Sequence, residues 1–173
     1  MARHSSLSTP NNPKANGVTF FGSVEIDCPA SLAWAVLKDF PSYSAWNTFS
    51  PAVNWPTSTP GPGDEGILTL RFGASDAGTK HPIKLIALDD SRMTVEWTGI
   101  GVPRWVLSPE RVQKVEKVGK GKCRFTSYET MQGPIQGLVN LLLGDRLDRG
   151  HERMGLDMKR WIESGDFEKV GAR

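Results

Sequence analysis

The stretch Asp145-Arg146-Leu147-Asp148-Arg149-Gly150-His151-Glu152-Arg153-Met154-Gly155-Leu156-Asp157-Met158-Lys159-Arg160-Trp161-Ile162-Glu163-Ser164 decides the fold. Leu147, His151, Met154, Met158 and Trp161 recur at spacings of four, three, four and three, which keeps them on one face of a 3.6-residue helix. Asp148, Arg149, Glu152, Arg153, Lys159 and Arg160 take the other positions. Such a helix must lay its stripe on something. Strand-like segments precede it, so the pattern predicts a sheet curled around this helix with a cavity between them. Four of the five stripe residues are apolar, and the fifth, His151, can carry a proton. Gly150 and Gly155 inside the helix cost about 1 kcal/mol each relative to alanine, a cost that reflects close approach of backbone or ligand.

Upstream, Ile135, Leu138, Val139 and Leu142 form an earlier helical stripe opened by Gly133-Pro134; Gly144 is read as interrupting it and Asp145 as capping the final helix. Before that lie alternating segments. In residues 18–27, Val18, Phe20, Gly22, Val24 and Ile26 alternate with Thr19, Ser23, Glu25 and Asp27, the mark of a strand with one buried face. Cys28-Pro29-Ala30 breaks it, and Ser31 is placed to cap a short helix carrying Leu32, Ala35, Val36 and Phe40. Pro41 starts a second helical turn ending at Trp46. Residues 51–66, rich in proline and glycine, read as a loop with one short strand around Val53. Further strands are expected at 67–72, 81–88, 93–98, 104–118 in one or two pieces, and 123–132, with turn residues at every joint and hence antiparallel pairing. The fold class is α+β: a curved antiparallel sheet of about six to seven strands around a long C-terminal helix, with two short helices after the first strand. Residues 1–17 read as a disordered or loosely docked tail, 18–166 as the domain and 167–173 as a C-terminal tail.

A chain of 173 residues suits one domain. Charged residues at 23% and a net charge of +2 describe an ordinary surface and speak against a nucleic-acid partner; the basic clusters near Arg111 to Lys122 and Arg146 to Arg160 read as solvated faces. Cys28 and Cys123 show no ligand spacing and read as small buried residues in a reducing compartment. No apolar run approaches the ~20 residues that span a bilayer, and the N-terminus has no secretory core, so a cytoplasmic protein is expected. There is no G-x-S-x-G elbow, phosphate-cradling loop or dinucleotide fingerprint, and His4, His81 and His151 have no metal-ligand spacing. No metal and no cofactor are implied.

The run from Ser23-Val24-Glu25-Ile26-Asp27-Cys28-Pro29-Ala30-Ser31 to Tyr43-Ser44-Ala45-Trp46-Asn47-Thr48-Phe49 resembles the opening of the START-like, or SRPBCC, helix-grip superfamily, and within it the polyketide cyclase/dehydrase-like branch. Val95-Glu96-Trp97-Thr98-Gly99, Glu129-Thr130-Met131-Gln132-Gly133 and Gly150-His151-Glu152-Arg153-Met154 continue the resemblance in order. It implies a helix-grip fold around a hydrophobic cavity, a scaffold that serves carriers, sensors and natural-product cyclases alike. At His151 the superfamily tends to carry an apolar residue, and at Gly155 an asparagine.

His151, aimed at the sheet by its place in the stripe, is the first candidate for proton transfer to a buried ligand; the alternative is a core histidine satisfied by a carbonyl or water. Glu129 is in phase with Phe125 and Ser127, so an inward Phe125 brings Ser127 and Glu129 inward with it. There its charge would be disfavoured, as suits a proton donor or a base, unless an ion pair or a hydrogen bond to the loop after Trp46 holds it. His81 shares a phase with Ile83 and Leu85 but starts its strand beside Pro82, which favours the rim. Trp46, Trp97 and Trp105 offer flat surfaces for an unsaturated ligand or equally for a core. Asn47 can donate to a ligand carbonyl at the cavity mouth or hold its own turn. Leu147, Met154 and Met158 complete the expected lining. Two functions fit: a cofactor-independent cyclase, dehydratase or isomerase of a polyketide-like intermediate worked by His151 and Glu129, and a non-catalytic carrier or sensor of a hydrophobic small molecule.

Overall fold

The alternation that begins at Val18 is realised as β1 (Val18–Ile26), which buries Phe20 and Ile26 and turns Ser23 and Glu25 outward. The computed structural model describes residues 6–73 and 75–167; the expectations for residues 1–5, His4 included, and 168–173 lie outside the described residues. After Pro29 comes α1 (Ala30–Lys38), with Ala33, Trp34 and Leu37 buried. Pro29 holds the cap position with no side-chain bond, so Ser31 lies inside the first turn instead of capping it. A 3₁₀ turn (Phe40–Ser42) and α2 (Tyr43–Trp46) lead to β2 (Ala52–Asn54).

The chain then meanders through β3 (Glu65–Leu70), β4 (Thr79–Asp89), β5 (Thr94–Gly99), β6 (Ser108–Gly119) and β7 (Lys122–Gln132). All pairs are antiparallel, and the seven strands lie in the order β1-β7-β6-β5-β4-β3-β2. The first strand thus pairs with the last, and α1 and α2 carry the chain from one sheet edge to the other. Register sets Phe20 opposite Glu129, Gly22 opposite Ser127 and Val24 opposite Phe125. Strand β6 begins at Ser108, later than expected, because residues 101–107 turn back on Pro103, whose carbonyl accepts the Val106 and Leu107 N–H groups at 2.8 and 3.2 Å.

One continuous helix, α3 (Gln136–Glu163), closes the structure. Gly144 does not interrupt it and Asp145 does not cap a new helix. Gly144 is buried within the unbroken helix, and a Cβ there would meet Asn140 Oδ1 at 2.8 Å and the Phe20 ring at an ordinary 3.6 Å. The closest approach is further along: a Cβ on Gly22 would stand 2.3 Å from the His151 carbonyl carbon, and one on Gly150 would stand 2.3 Å from the Phe49 ring. Helix backbone lies on strand backbone there, which no residue but glycine permits. The Asp148 carboxylate accepts the Phe21 N–H at 2.9 Å and covers the exposed edge of β1.

Residues 6–17 cross the outer face of the sheet. The Leu7 N–H donates to Thr19 Oγ1 at 2.9 Å, the Tyr128 hydroxyl donates to the Ser8 carbonyl at 2.9 Å, and Asn11 Nδ2 donates to Glu110 Oε1 at 2.5 Å. No helix among the described residues is long and apolar enough to cross a membrane. Cys28 and Cys123 are free and buried, their sulfurs 3.6 Å apart. Burial pushes both thiols up, Cys123 to about 12, and the thiolate is the reactive form. Iodoacetamide at pH 8 is therefore expected to leave the folded protein unmodified and to label both cysteines after denaturation. Mass spectrometry checks this, and labelling of the native chain at the unfolded rate would contradict it.

Candidate functional site

The C-terminal half of α3 lies flat on β1 and β7, sealing Met154 and Met158 against Phe125 and Val24. Its N-terminal half spans an opening. Between that half and strands β3 to β7 lies a cavity of about 730 Å³. Val139, Leu143, Arg146 and Leu147 roof it; Leu68, Leu70, Ile83 and Trp97 form its apolar wall; Arg111, Glu129 and His81 are polar groups on it.

Arg111 and Glu129 face each other across β6 and β7. The guanidinium donates from Nε and Nη2 to Glu129 Oε2 at 2.9 and 2.6 Å, and from Nη1 to Ser50 Oγ at 3.2 Å. It also lies 5.3 Å from the Phe49 ring centre and 6.0 Å from that of Trp97. Arg111 is only 2% exposed. All these bonds use one carboxylate oxygen. Oε1 has no hydrogen-bond partner among the described residues, although Glu129 borders the cavity.

His151 sits behind this pair and does not line the cavity. Its side chain is fully buried, Nδ1 is 2.8 Å from Ser127 Oγ, and the Phe49 ring stands edge-on at 5.4 Å. Gln113 Nε2 donates to Ser127 Oγ at 3.4 Å and to Met154 Sδ at 2.9 Å. The Ser127 hydroxyl can donate to Nδ1 or accept from it, according to which ring nitrogen of the neutral imidazole carries the proton. Nε2 lies 4.0 Å from Glu129 Oε2, without a hydrogen bond among the described residues. Burial, helped by the Arg111 charge, holds His151 well below its ordinary pKa of 6.5, so the ring is neutral at neutral pH.

His81 stands at the cavity mouth, Nε2 2.7 Å from Thr79 Oγ1. The residue is exposed overall, yet the part of it on the cavity wall loses enough solvent to lower its pKa, against the opposing pull of Glu129. Trp97 and Leu147 also border the cavity. Phe125, Ser127, Met154 and Met158 do not, being sealed between β7 and α3. Trp46 packs at 5.0 Å on Tyr43 and borders a separate cleft with Trp161. Asn47 holds its own turn, its Oδ1 accepting the Ser50 N–H at 2.8 Å. Trp105 is 78% exposed in the 101–107 turn, outside the cavity.

Arg111 is a cavity residue that sequence reasoning missed, counted there among solvated cations. The available signal was its phase with Gln113 and Val115, weakened because Val112 on the opposite face is buried too. Asp157 was also missed: its carboxylate accepts the Thr48 N–H and hydroxyl at 3.0 and 2.5 Å and ties the loop after Trp46 to α3. No group of three or more His, Cys, Asp or Glu residues among the described residues could hold a metal ion.

The buried histidine gives a pH signature. A native pKa below the unfolded value of about 6.5 means the unfolded chain binds the proton first, so this stability is fully present above pH ~6.5 and is lost as pH falls toward the native value. His81 acts in the same direction. Unfolding free energy by urea titration is expected to fall between about pH 6.5 and 5. His151→Gln should flatten the slope more than His81→Asn, and an unchanged slope in His151→Gln would contradict the assignment.

A model of the family described as polyketide cyclase/dehydrase and lipid transport matches residues 18–158. Among curated proteins, no sequence matches the chain. Similar solved structures include a hypothetical protein from Helicobacter pylori (12% identity, 93% of this chain and 98% of that one, TM-score 0.70) and the Zhui aromatase/cyclase from Streptomyces sp. R1128 (11%, 85% and 96%, TM-score 0.63). Norcoclaurine synthase from Thalictrum flavum, in complex with dopamine and hydroxybenzaldehyde, is similar as well (14%, 86% and 88%, TM-score 0.62). At these identities the likeness is one of fold.

Proposed function

Because the chain belongs to the polyketide cyclase/dehydrase and lipid transport family, we propose that it binds a hydrophobic small molecule beneath α3 and acts on it as a cofactor-independent cyclase, dehydratase or isomerase of a polyketide-like or related intermediate. The observation that carries this reading is the unpartnered Oε1 of Glu129, a carboxylate oxygen at the wall of an otherwise mostly apolar cavity. The volume of about 730 Å³ falls within the range of small-molecule sites.

Arg111 commits three of its five N–H groups to Glu129 and Ser50. Its remaining donors suit a ligand carbonyl and the enolate that forms from it. The substrate this reading calls for offers an acidic carbon, such as a methylene between two carbonyls. Glu129 Oε1 would take that proton and return it to an oxygen that leaves as water or becomes a hydroxyl. Arg111 holds Glu129 in place through two hydrogen bonds, while Trp97 and Leu147 hold the ligand flat and folded.

One observation favours a carrier instead: Arg111 already neutralises the carboxylate. The experiment separates the two. Native mass spectrometry of freshly purified protein is expected to show a bound compound that Leu143→Trp, which fills the roof of the cavity, excludes. Glu129→Gln should keep that compound while slowing its conversion by about 10²-fold or more. Retention without any conversion by the wild type would establish the carrier. Failure to retain either that compound or anilinonaphthalene sulfonate would rule out both.

A further inference from the structure

We infer that the guest of this cavity carries one β-dicarbonyl unit on an otherwise hydrocarbon body, and is not a chain oxygenated along its length. The inference rests on the reading that the cavity binds a hydrophobic substrate, and narrows its class. Polar side chains occur at two places on the wall. One is the buried pair Arg111 and Glu129; the other is the mouth, where Thr79, Lys80, His81 and Arg146 are exposed. Asp76, half-buried there, is occupied by the Phe72 and Gly78 N–H groups at 3.0 and 2.9 Å. The other buried lining residues are Leu68, Leu70, Ile83, Trp97, Met131 and Leu147, and among their side chains the Trp97 indole N–H is the sole hydrogen-bond donor. Gln113, Ser127 and His151 are fully buried and do not border the cavity, so their polar groups do not serve a guest.

The buried pair suits a single β-dicarbonyl. Arg111 has two N–H groups left after the three it gives to Glu129 and Ser50, and Glu129 has Oε1. In its enol form a β-dicarbonyl presents one carbonyl, which accepts a guanidinium N–H, and one hydroxyl, which donates to Oε1. The carbon between its two oxygens is the acidic one that the proposed reaction requires. A further carbonyl along the body would give up its hydrogen bonds to water and meet leucine, isoleucine and methionine, a loss that this wall does not offset. An oxygen at the far end of the body escapes that cost by turning to the polar mouth.

Four probes built on one carbon chain test this, with affinities read by titration calorimetry and by displacement of anilinonaphthalene sulfonate. A linear β-diketone with a methyl and an octyl end should bind at least about tenfold more tightly than the methyl ketone of the same chain length. Arg111→Met combined with Glu129→Gln should remove that preference. A further ketone at the middle of the octyl tail should weaken binding at least about tenfold, whereas a hydroxyl at the end of the tail should weaken it by less than about threefold. Equal weakening by the two added oxygens, or none by the mid-chain ketone, overturns the inference and leaves the hydrophobic cavity standing. So does a wild type that binds the diketone no better than the ketone. Binding of neither anilinonaphthalene sulfonate nor any of the four probes overturns the cavity reading along with it.

Discussion

Arg111→Ala is expected to destabilise the protein by about 3–5 kcal/mol, because it strips the counter-charge from Glu129 and leaves a carboxylate enclosed by the sheet and α3. For a chain of this length that is a fall in melting temperature on the order of 10 °C. The cause is the orphaned charge more than the lost bonds. Arg111→Met with Glu129→Gln in the same chain should therefore recover much of the loss, whereas two independent contributions would add. Thermal melts of the two single variants and the double variant decide the matter. A double variant as unstable as the sum of the singles would show that the pair is not the energetic unit described here. The same series bears on the proposed function, since the recovered double variant keeps the cavity but lacks the proposed base and donor, and should bind without converting.

Gly22→Ala should be strongly damaging for a change of one methyl group, at about 3 kcal/mol or more. The added carbon meets the His151 carbonyl carbon at 2.3 Å and the Glu152 nitrogen at 2.4 Å. Both are backbone, so no rotamer change relieves the clash and α3 must rise from β1. That movement also pulls His151 from its Ser127 partner. Gly137→Ala provides the contrast: it is helical, its Cβ would meet nothing within 4 Å, and alanine should gain up to about 1 kcal/mol. Urea unfolding of both variants reads the difference. A mild effect at Gly22 would mean that helix and strand do not lie backbone to backbone.

Much of the fold was legible because each element repeats its own period. Phe20, Gly22 and Ile26 in β1, and Leu147, Met154 and Met158 in α3, announce a face through spacing that depends only on local geometry. Turn residues then mark the joints. Gly144 misled for a related reason: local propensity counts its cost as a break, while the burial of this face of α3 keeps the helix whole through it. Trp105 misled because Pro103 turns the 101–107 segment before the strand begins, so no sheet phase governs where it points.

The candidate site was legible only in part. Phase placed Glu129 and Trp97 on the inner face, and both border the cavity. Phase also placed Phe125, Ser127 and His151 inward, and there α3 covers them completely. The sequence by itself determined the order of elements, their antiparallel pairing and which side of each strand is inner, since these follow from backbone periodicity and turn chemistry. Only the tertiary structure decided which inner residues meet a cavity and which meet a helix, and that Arg111 is a buried partner instead of a surface cation. The reason is that α3 touches β1 along Gly22 and stands off the middle of the sheet, and that crossing depends on contacts more than 100 residues apart, such as Gly22 with His151, which no local pattern encodes.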